Sequence, residues 1–116
     1  MGDVSEHFLR AEFACKCGCG KDAIDVMLMQ VLERVRSHFC KPVLINSGNR
    51  CASYNKAEGG APKSLHMQSK AADIVVLGVH PRTVYDTLDR WYVDEFGMGH
   101  YDSFTHIDVR NIKVRW

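Results

Sequence analysis

Apolar residues recur at intervals of three and four positions in the first third of the chain, between residues 22 and 39. This spacing gathers them on one face, so the segment is predicted to be an amphipathic helix that packs on the core. Asp22 is the predicted N-cap, and Pro42 lies beyond the predicted end. The residues on the apolar face are Ile24, Met27, Leu28, Val31, Leu32, Val35 and Phe39.

Shorter apolar runs further along the chain predict strands. The Ile74–Leu77 run is unbroken, which indicates a strand buried on both faces. Pro81 suits the first position of a second helix that ends near Tyr92. The polar stretch 49–63 is predicted to contain one helical turn, around 53–57, and a tight turn is expected at 102–103. The predicted strands are 43–46, 70–77, 97–101 and 104–110.

These elements predict an α+β fold in one domain that covers residues 1–116, a length that suits a single core. A net charge of +1 gives no reason to expect nucleic acid or an anionic membrane as a partner. The first residues lack a basic segment followed by an apolar core, so no secretory signal is expected. We therefore expect a monomer that accumulates in the cytoplasm and reaches other compartments only if it is released.

Two histidines and one aspartate form the candidate chemistry of the chain. His66 and Asp73 lie near the start of the 70–77 strand, and His106 shares one face of the last strand with Asp108 because side chains alternate. Two imidazoles and a carboxylate suit a catalytic zinc, which keeps its fourth position open. The same residues could instead be hydrogen-bonded structural residues. The metal is favoured because Asp73 adjoins an apolar run, where its charge needs a metal or a basic partner.

Five cysteines allow a second interpretation. Cys15, Cys17 and Cys19 lie in a glycine-containing segment, whereas Cys40 and Cys51 lie apart from it. The odd number and the lack of an export signal disfavour a disulfide framework. A structural zinc that also uses Cys51 and a regulatory disulfide are both alternatives. Because C-x-C-x-C is tighter than the usual zinc spacing, a turn with small, partly buried thiols is favoured.

At a set of short motifs the chain resembles the zinc D-Ala-D-Ala carboxypeptidase family, in its short single-domain branch from bacteria and phage lysis modules. The resemblance runs from about Ser5 to Trp116. It implies a small antiparallel sheet that carries the zinc and is flanked by helices, as in lysostaphin-type enzymes and the hedgehog signalling domain. The motifs are Ser47-Gly48-Asn49-Arg50, Tyr54-Asn55, Gly59-Gly60-Ala61, Ser64-Leu65-His66, Lys70-Ala71-Ala72-Asp73-Ile74 and Phe104-Thr105-His106-Ile107-Asp108-Val109-Arg110.

The resemblance also implies roles for individual residues. It makes His66, Asp73 and His106 the ligands of one Zn²⁺ ion. Arg50 resembles the family arginine that binds a substrate carboxylate or steadies a developing oxyanion, tasks that suit a planar guanidinium. Further substrate-binding candidates are Ser64, which could instead cap the His66 loop, and His100, which could instead be a surface residue.

The proton-accepting carboxylate is the point at which the chain departs from the family. In relatives it commonly lies three residues before the last histidine, where this chain has Ser103. Asp102 is slightly favoured as the base. Asp108 is the other candidate. It could instead orient a metal ligand by a hydrogen bond, without touching the metal itself.

The predicted function is therefore zinc-dependent hydrolysis of amide bonds in peptidoglycan stem peptides. The terminal D-Ala-D-Ala bond, a cross-bridge and the L-Ala-D-Glu bond are all candidates, and a role as a phage endolysin that acts once released fits as well as bacterial cell-wall remodelling. An inactive zinc-containing module that binds cell wall or protein is the alternative, supported by the missing acid at position 103. A scaffold or redox sensor built on Cys15, Cys17 and Cys19 is a further alternative.

Overall fold

The helices and strands are largely those that the sequence patterns predict. A computed structural model describes Gly2 and residues 5–60 and 64–116, so the predictions at Ala61 and Lys63 lie outside the described residues. The helices are α1 (Val26–Phe39), α2 (Ala52–Ala57) and α3 (Pro81–Trp91), with 3-10 turns at Arg10–Phe13 and Leu65–Gln68. The strands are β1 (Val43–Ser47), β2 (Ala71–Val76), β3 (Gly97–His100), β4 (Thr105–Asp108) and β5 (Val114–Arg115).

The strands form one mixed sheet in the order β1-β2-β4-β3-β5. The first four strands pair antiparallel, which confirms the predicted α+β architecture, whereas β5 pairs parallel to β3. The fifth strand is an addition to the prediction. It has only two residues, one of which is charged, so neither alternation nor an apolar run marks it in the sequence.

Alternation along the strands separates a core face from a polar face. Ala72 and Ile74 of β2 and Ile107 of β4 pack in the core together with residues of α1 and α3. Because successive side chains point to opposite faces, the intervening Asp73 and His106 lie on the other side of the sheet. The fold therefore presents a group of buried polar residues on the face turned away from these two helices.

The first helix begins later than predicted. Asp25 rather than Asp22 is its N-cap, and its carboxylate accepts hydrogen bonds from the backbone N–H groups of Met27 and Leu28. The N–H of Asp25 donates to the carbonyl of Ser69, which holds this residue outside the helix. Ile24, predicted for the apolar face of the helix, therefore packs against the core from the preceding segment.

None of the helices in the described part of the chain has the length and apolarity needed to traverse a lipid bilayer.

Candidate metal centre

Strand pairing sets Asp73 directly opposite His106. The two residues are register partners between β2 and β4, and both are buried. Directly opposed side chains on one face of an antiparallel pair lie close together. Accordingly, Nδ1 of His106 lies 2.9 Å from Oδ1 of Asp73.

His66 reaches the same carboxylate from the 3-10 turn Leu65–Gln68. Ser64 caps this turn by accepting a hydrogen bond from the His66 N–H, and the N–H of Arg50 donates to the His66 carbonyl. The Nδ1–H of His66 donates to the Gly48 carbonyl at 2.7 Å. Its Nε2 therefore carries the lone pair and lies 3.3 Å from Oδ1 of Asp73.

The second ring nitrogen of His106 is occupied in the same manner. Nε2 of His106 donates to Oδ2 of Asp108 at 2.8 Å, which leaves Nδ1 facing Asp73. Asp108 is fully buried and also pairs with Arg110, whose Nε and Nη2 lie 2.7 and 2.8 Å from its two oxygens. Gly97 is required beside this pair, because a Cβ at that position would collide with the Asp108 carboxylate.

The electrostatics of the cluster call for a cation. Ligand atoms of His66, Asp73 and His106 lie within 4.8 Å of one another. With both outer ring nitrogens used as donors, each inner nitrogen lone pair faces the same carboxylate oxygen, which is favourable only with a proton or a metal ion between them. Two imidazoles and a carboxylate are ligands that zinc accepts. The residues present therefore fit the metal.

The ionisation of these groups follows from the same contacts. Burial opposes ionisation of Asp73, but the contacts with His106 and His66, which favour the charged carboxylate, outweigh it and lower the pKa of Asp73 to about 2. Burial would lower the pKa of His106, yet its bonds to Asp108 and Asp73 raise it. The pKa of Asp108 falls, since the His106 and Arg110 hydrogen bonds exceed the cost of burial. Two carboxylate charges are thus held at the floor of the site.

An open cavity of about 560 Å³ lies over the cluster. Arg50 lines it and is held by Ser47, Asn55 and Asp73, whose Oδ2 lies 3.8 Å from Nη2 of the arginine. The lining contains two arginines and three aromatic side chains. Further lining residues are Glu58, Ser64, Tyr101, Phe104, Arg110 and Trp116.

Two of the candidate residues from the sequence stand apart from this cavity. Asp102 is exposed on the turn between β3 and β4 and is not among the lining residues. The ring of His100 packs against Tyr85, with 5.6 Å between ring centroids, and does not line the cavity either. The structure thus brings His66, Asp73, His106, Asp108, Arg50 and Ser64 together, and leaves out Asp102 and His100.

Other residues of the site carry weak signals in the sequence. The Gly48 carbonyl is a backbone group, so residue type gives no sign of its bond to His66. Arg110 could have been found, because it lies two positions after Asp108 on the same side of the chain. Glu58 has no local pattern that separates it from an ordinary surface glutamate.

A comparison with protein families gives one match that bears on these residues. The model of a family described as Peptidase M15 matches residues 6–108, which includes every residue of the cluster. A comparison with curated proteins gives no match.

Proposed function

This chain belongs to the peptidase M15 family, and we propose that it is a zinc metallopeptidase that hydrolyses amide bonds in peptidoglycan stem peptides. One observation carries the proposal. His66 Nε2, His106 Nδ1 and an Asp73 oxygen converge beneath an open cavity, with both outer ring nitrogens already used as donors. Such a set holds a metal while one side stays open to substrate.

His66, Asp73 and His106 would hold the zinc ion. When bound, zinc polarises a carbonyl group and lowers the pKa of water towards neutrality. The protein's part is to fix the two imidazoles, and the Gly48 carbonyl and the Asp108 carboxylate do so through 2.7 and 2.8 Å hydrogen bonds. Partners of this kind set the tautomer and orientation of a metal-binding histidine.

Asp108 is better suited to positioning His106 than to accepting a proton. Its side chain is buried, and its oxygens already accept from His106, from Arg110 and from the Gly97 N–H. A base must be able to reach the proton that it removes. Asp108 therefore acts in this proposal as a positioning residue.

Glu58 is the carboxylate that we assign as proton acceptor. Apart from Asp73, it is the acidic residue that lines the cavity in the described part of the chain. It is exposed, and Tyr54 Oη donates to its Oε1 at 3.0 Å, which steadies the side chain. Asp102 is the alternative, since Tyr101 and Phe104 beside it line the cavity.

Arg50 would recognise a carboxylate of the substrate. Its guanidinium lies at the cavity wall and its only ion pair in the described residues, to Asp73, is long at 3.8 Å, so it can still take a two-pronged carboxylate contact. Stem peptides carry such carboxylates. A substrate carboxylate held there would set the scissile bond against the histidine cluster.

The test is digestion of purified peptidoglycan by the zinc-loaded chain, followed by mass spectrometry of the soluble fragments. Each cut should add one water and create a new amine and a new carboxylate. Free D-alanine would indicate a carboxypeptidase, and released peptides an endopeptidase. Zinc-loaded protein that binds peptidoglycan but releases nothing would contradict the proposal and favour the binding-module alternative.

A further inference from the structure

Four cysteines form a second cluster, in which Cys15 is buried, Cys51 is half-buried, and Cys17 and Cys19 are exposed. Cys15, Cys17 and Cys19 of one loop converge with Cys51, and their sulfur atoms lie within 4.8 Å of one another. The sulfur of Cys17 lies 3.4 Å from that of Cys15 and 3.5 Å from that of Cys51. From sequence alone a turn without metal is favoured. The fold places Cys51, which lies 32 residues after Cys19 and is the fourth ligand in the zinc alternative, beside the other three cysteines.

The spacing of the sulfur atoms suits a shared ion. A disulfide requires sulfur atoms at about 2.05 Å, far closer than those observed. Zinc binds thiolate sulfur at about 2.3 Å, so a regular tetrahedron would set its sulfur atoms about 3.8 Å apart. The 3.4 and 3.5 Å separations are close to that value, and the remaining sulfur atoms lie within 4.8 Å of one another.

Two glycines and one hydrogen bond define the backbone of the loop that carries Cys15, Cys17 and Cys19. Gly18 and Gly20 have positive φ angles of 81° and 90°, which allow the loop to reverse twice within a few residues. The loop is closed by a hydrogen bond of 2.7 Å from the Cys15 N–H to the Lys21 carbonyl.

Backbone donors also point at the sulfur atoms. The Cys51 N–H donates to Cys15 Sγ at 3.4 Å, and the Tyr54 N–H donates to Cys51 Sγ at 3.5 Å. Hydrogen bonds to sulfur stabilise thiolates, the form that binds metal. Lys16 and Lys21 belong to the same loop and carry charges opposite to those of thiolates.

We propose that Cys15, Cys17, Cys19 and Cys51 form a second site, which holds one structural zinc ion. Four sulfur ligands leave no open position, so the site is closed and has a structural role. The ion would tie the loop ahead of α1 to the residue that follows Arg50. It would thereby fix one side of the cavity, whether or not the chain cleaves peptidoglycan.

Zinc content of purified full-length variants tests the proposal. The unaltered chain and the control Cys40→Ser should each hold about two zinc ions. Cys17→Ser/Cys19→Ser should lose the cysteine-bound ion and keep the ion at the histidine cluster. His66→Ala/His106→Ala should lose the ion at the histidine cluster and keep the cysteine-bound one. A cysteine variant with undiminished zinc, or a histidine variant with none, would overturn the second site.

Thiol labelling of the unaltered chain provides a test that does not depend on variants. Cys17 and Cys19 are exposed, as is Cys40, so a free cluster would react with an alkylating reagent as readily as the control. In the zinc-loaded chain only Cys40 should react rapidly, and a chelator should release the other thiols. Equal labelling of Cys17, Cys19 and Cys40 under zinc, or a mass deficit of two hydrogens from a disulfide, would overturn the proposal.

Discussion

The histidine cluster and the cysteine cluster each bring candidate metal ligands together, but they differ in burial and in the contacts that hold the side chains in place. His66, Asp73 and His106 are buried, and hydrogen bonds to backbone and side chains fix the outer nitrogens of both rings. Cys17 and Cys19 are exposed on a loop. Sheet register and a capped 3-10 turn position the first group, whereas backbone hydrogen bonds reach the sulfur atoms of only Cys15 and Cys51 in the second group. Pre-organisation of this kind distinguishes a site for chemistry from a site for stability.

The largest expected effect comes from removal of a histidine ligand. A bound metal ion stabilises the negative charge that develops in the transition state of amide hydrolysis by several kcal/mol. Loss of the ion in His106→Ala should therefore lower the rate of peptide release by on the order of 10³-fold. Cys17→Ser/Cys19→Ser should mainly reduce thermal stability. Peptide release and melting temperature, measured on both variants beside Cys40→Ser, would check this. A larger loss of turnover in the cysteine variant would reverse the roles of the two clusters.

An intermediate effect is expected at Asp108. Loss of a residue that orients a metal ligand usually costs about 10–100-fold in metal affinity or activity. Asp108→Asn should therefore lose zinc more readily and regain part of its activity in excess zinc. Its partner Arg110 would then face an amide instead of a carboxylate.

The variants matched to Asp108→Asn change the other two candidate proton acceptors, Glu58 and Asp102. Glu58→Gln should keep zinc and lose turnover by about 10²–10⁴-fold if it accepts the proton, because the amide preserves shape without basicity. Asp102→Asn should be close to the unaltered chain. A larger loss of turnover in Asp102→Asn than in Glu58→Gln would instead assign the proton acceptor to the turn between β3 and β4.

The smallest of the expected effects concerns Arg50, the residue that lies between the two clusters. Lysine cannot reproduce a two-pronged contact, so Arg50→Lys should lower kcat/KM on stem peptides by about tenfold. Arg82→Lys is the matched control, because Arg82 is an exposed arginine of α3 that pairs with Asp86. Unchanged kinetics in Arg50→Lys would remove this residue from substrate recognition.

Elements with a strong local pattern were predictable from sequence. The apolar Ile74–Leu77 run marks β2, although the strand ends at Val76 and Leu77 is exposed beyond it. Pro81 marks the start of α3, and the predicted turn at 102–103 lies between β3 and β4. The ligand roles of His66, Asp73 and His106 remain predictions, although the fold brings these residues together as expected.

The features that sequence did not reveal depend on contacts between distant segments. Asp25 caps α1 in preference to Asp22 partly because its N–H binds the Ser69 carbonyl. The bond from His66 to Gly48 uses a backbone group, which any residue would supply. The sequence offers Cys51 only as one alternative partner of the other cysteines, because its position beside them depends on how the loop folds against the end of β1. The spacing of residues within one segment does not predict contacts of this kind between distant segments.

The central claim, that the active chain carries zinc on His66, Asp73 and His106, is tested most directly by anomalous diffraction at the zinc absorption edge. Crystals would be grown from zinc-loaded protein with demonstrated peptide release. We expect an anomalous peak within bonding distance of His66 Nε2, His106 Nδ1 and an Asp73 oxygen. An active preparation with no peak at these atoms would contradict it.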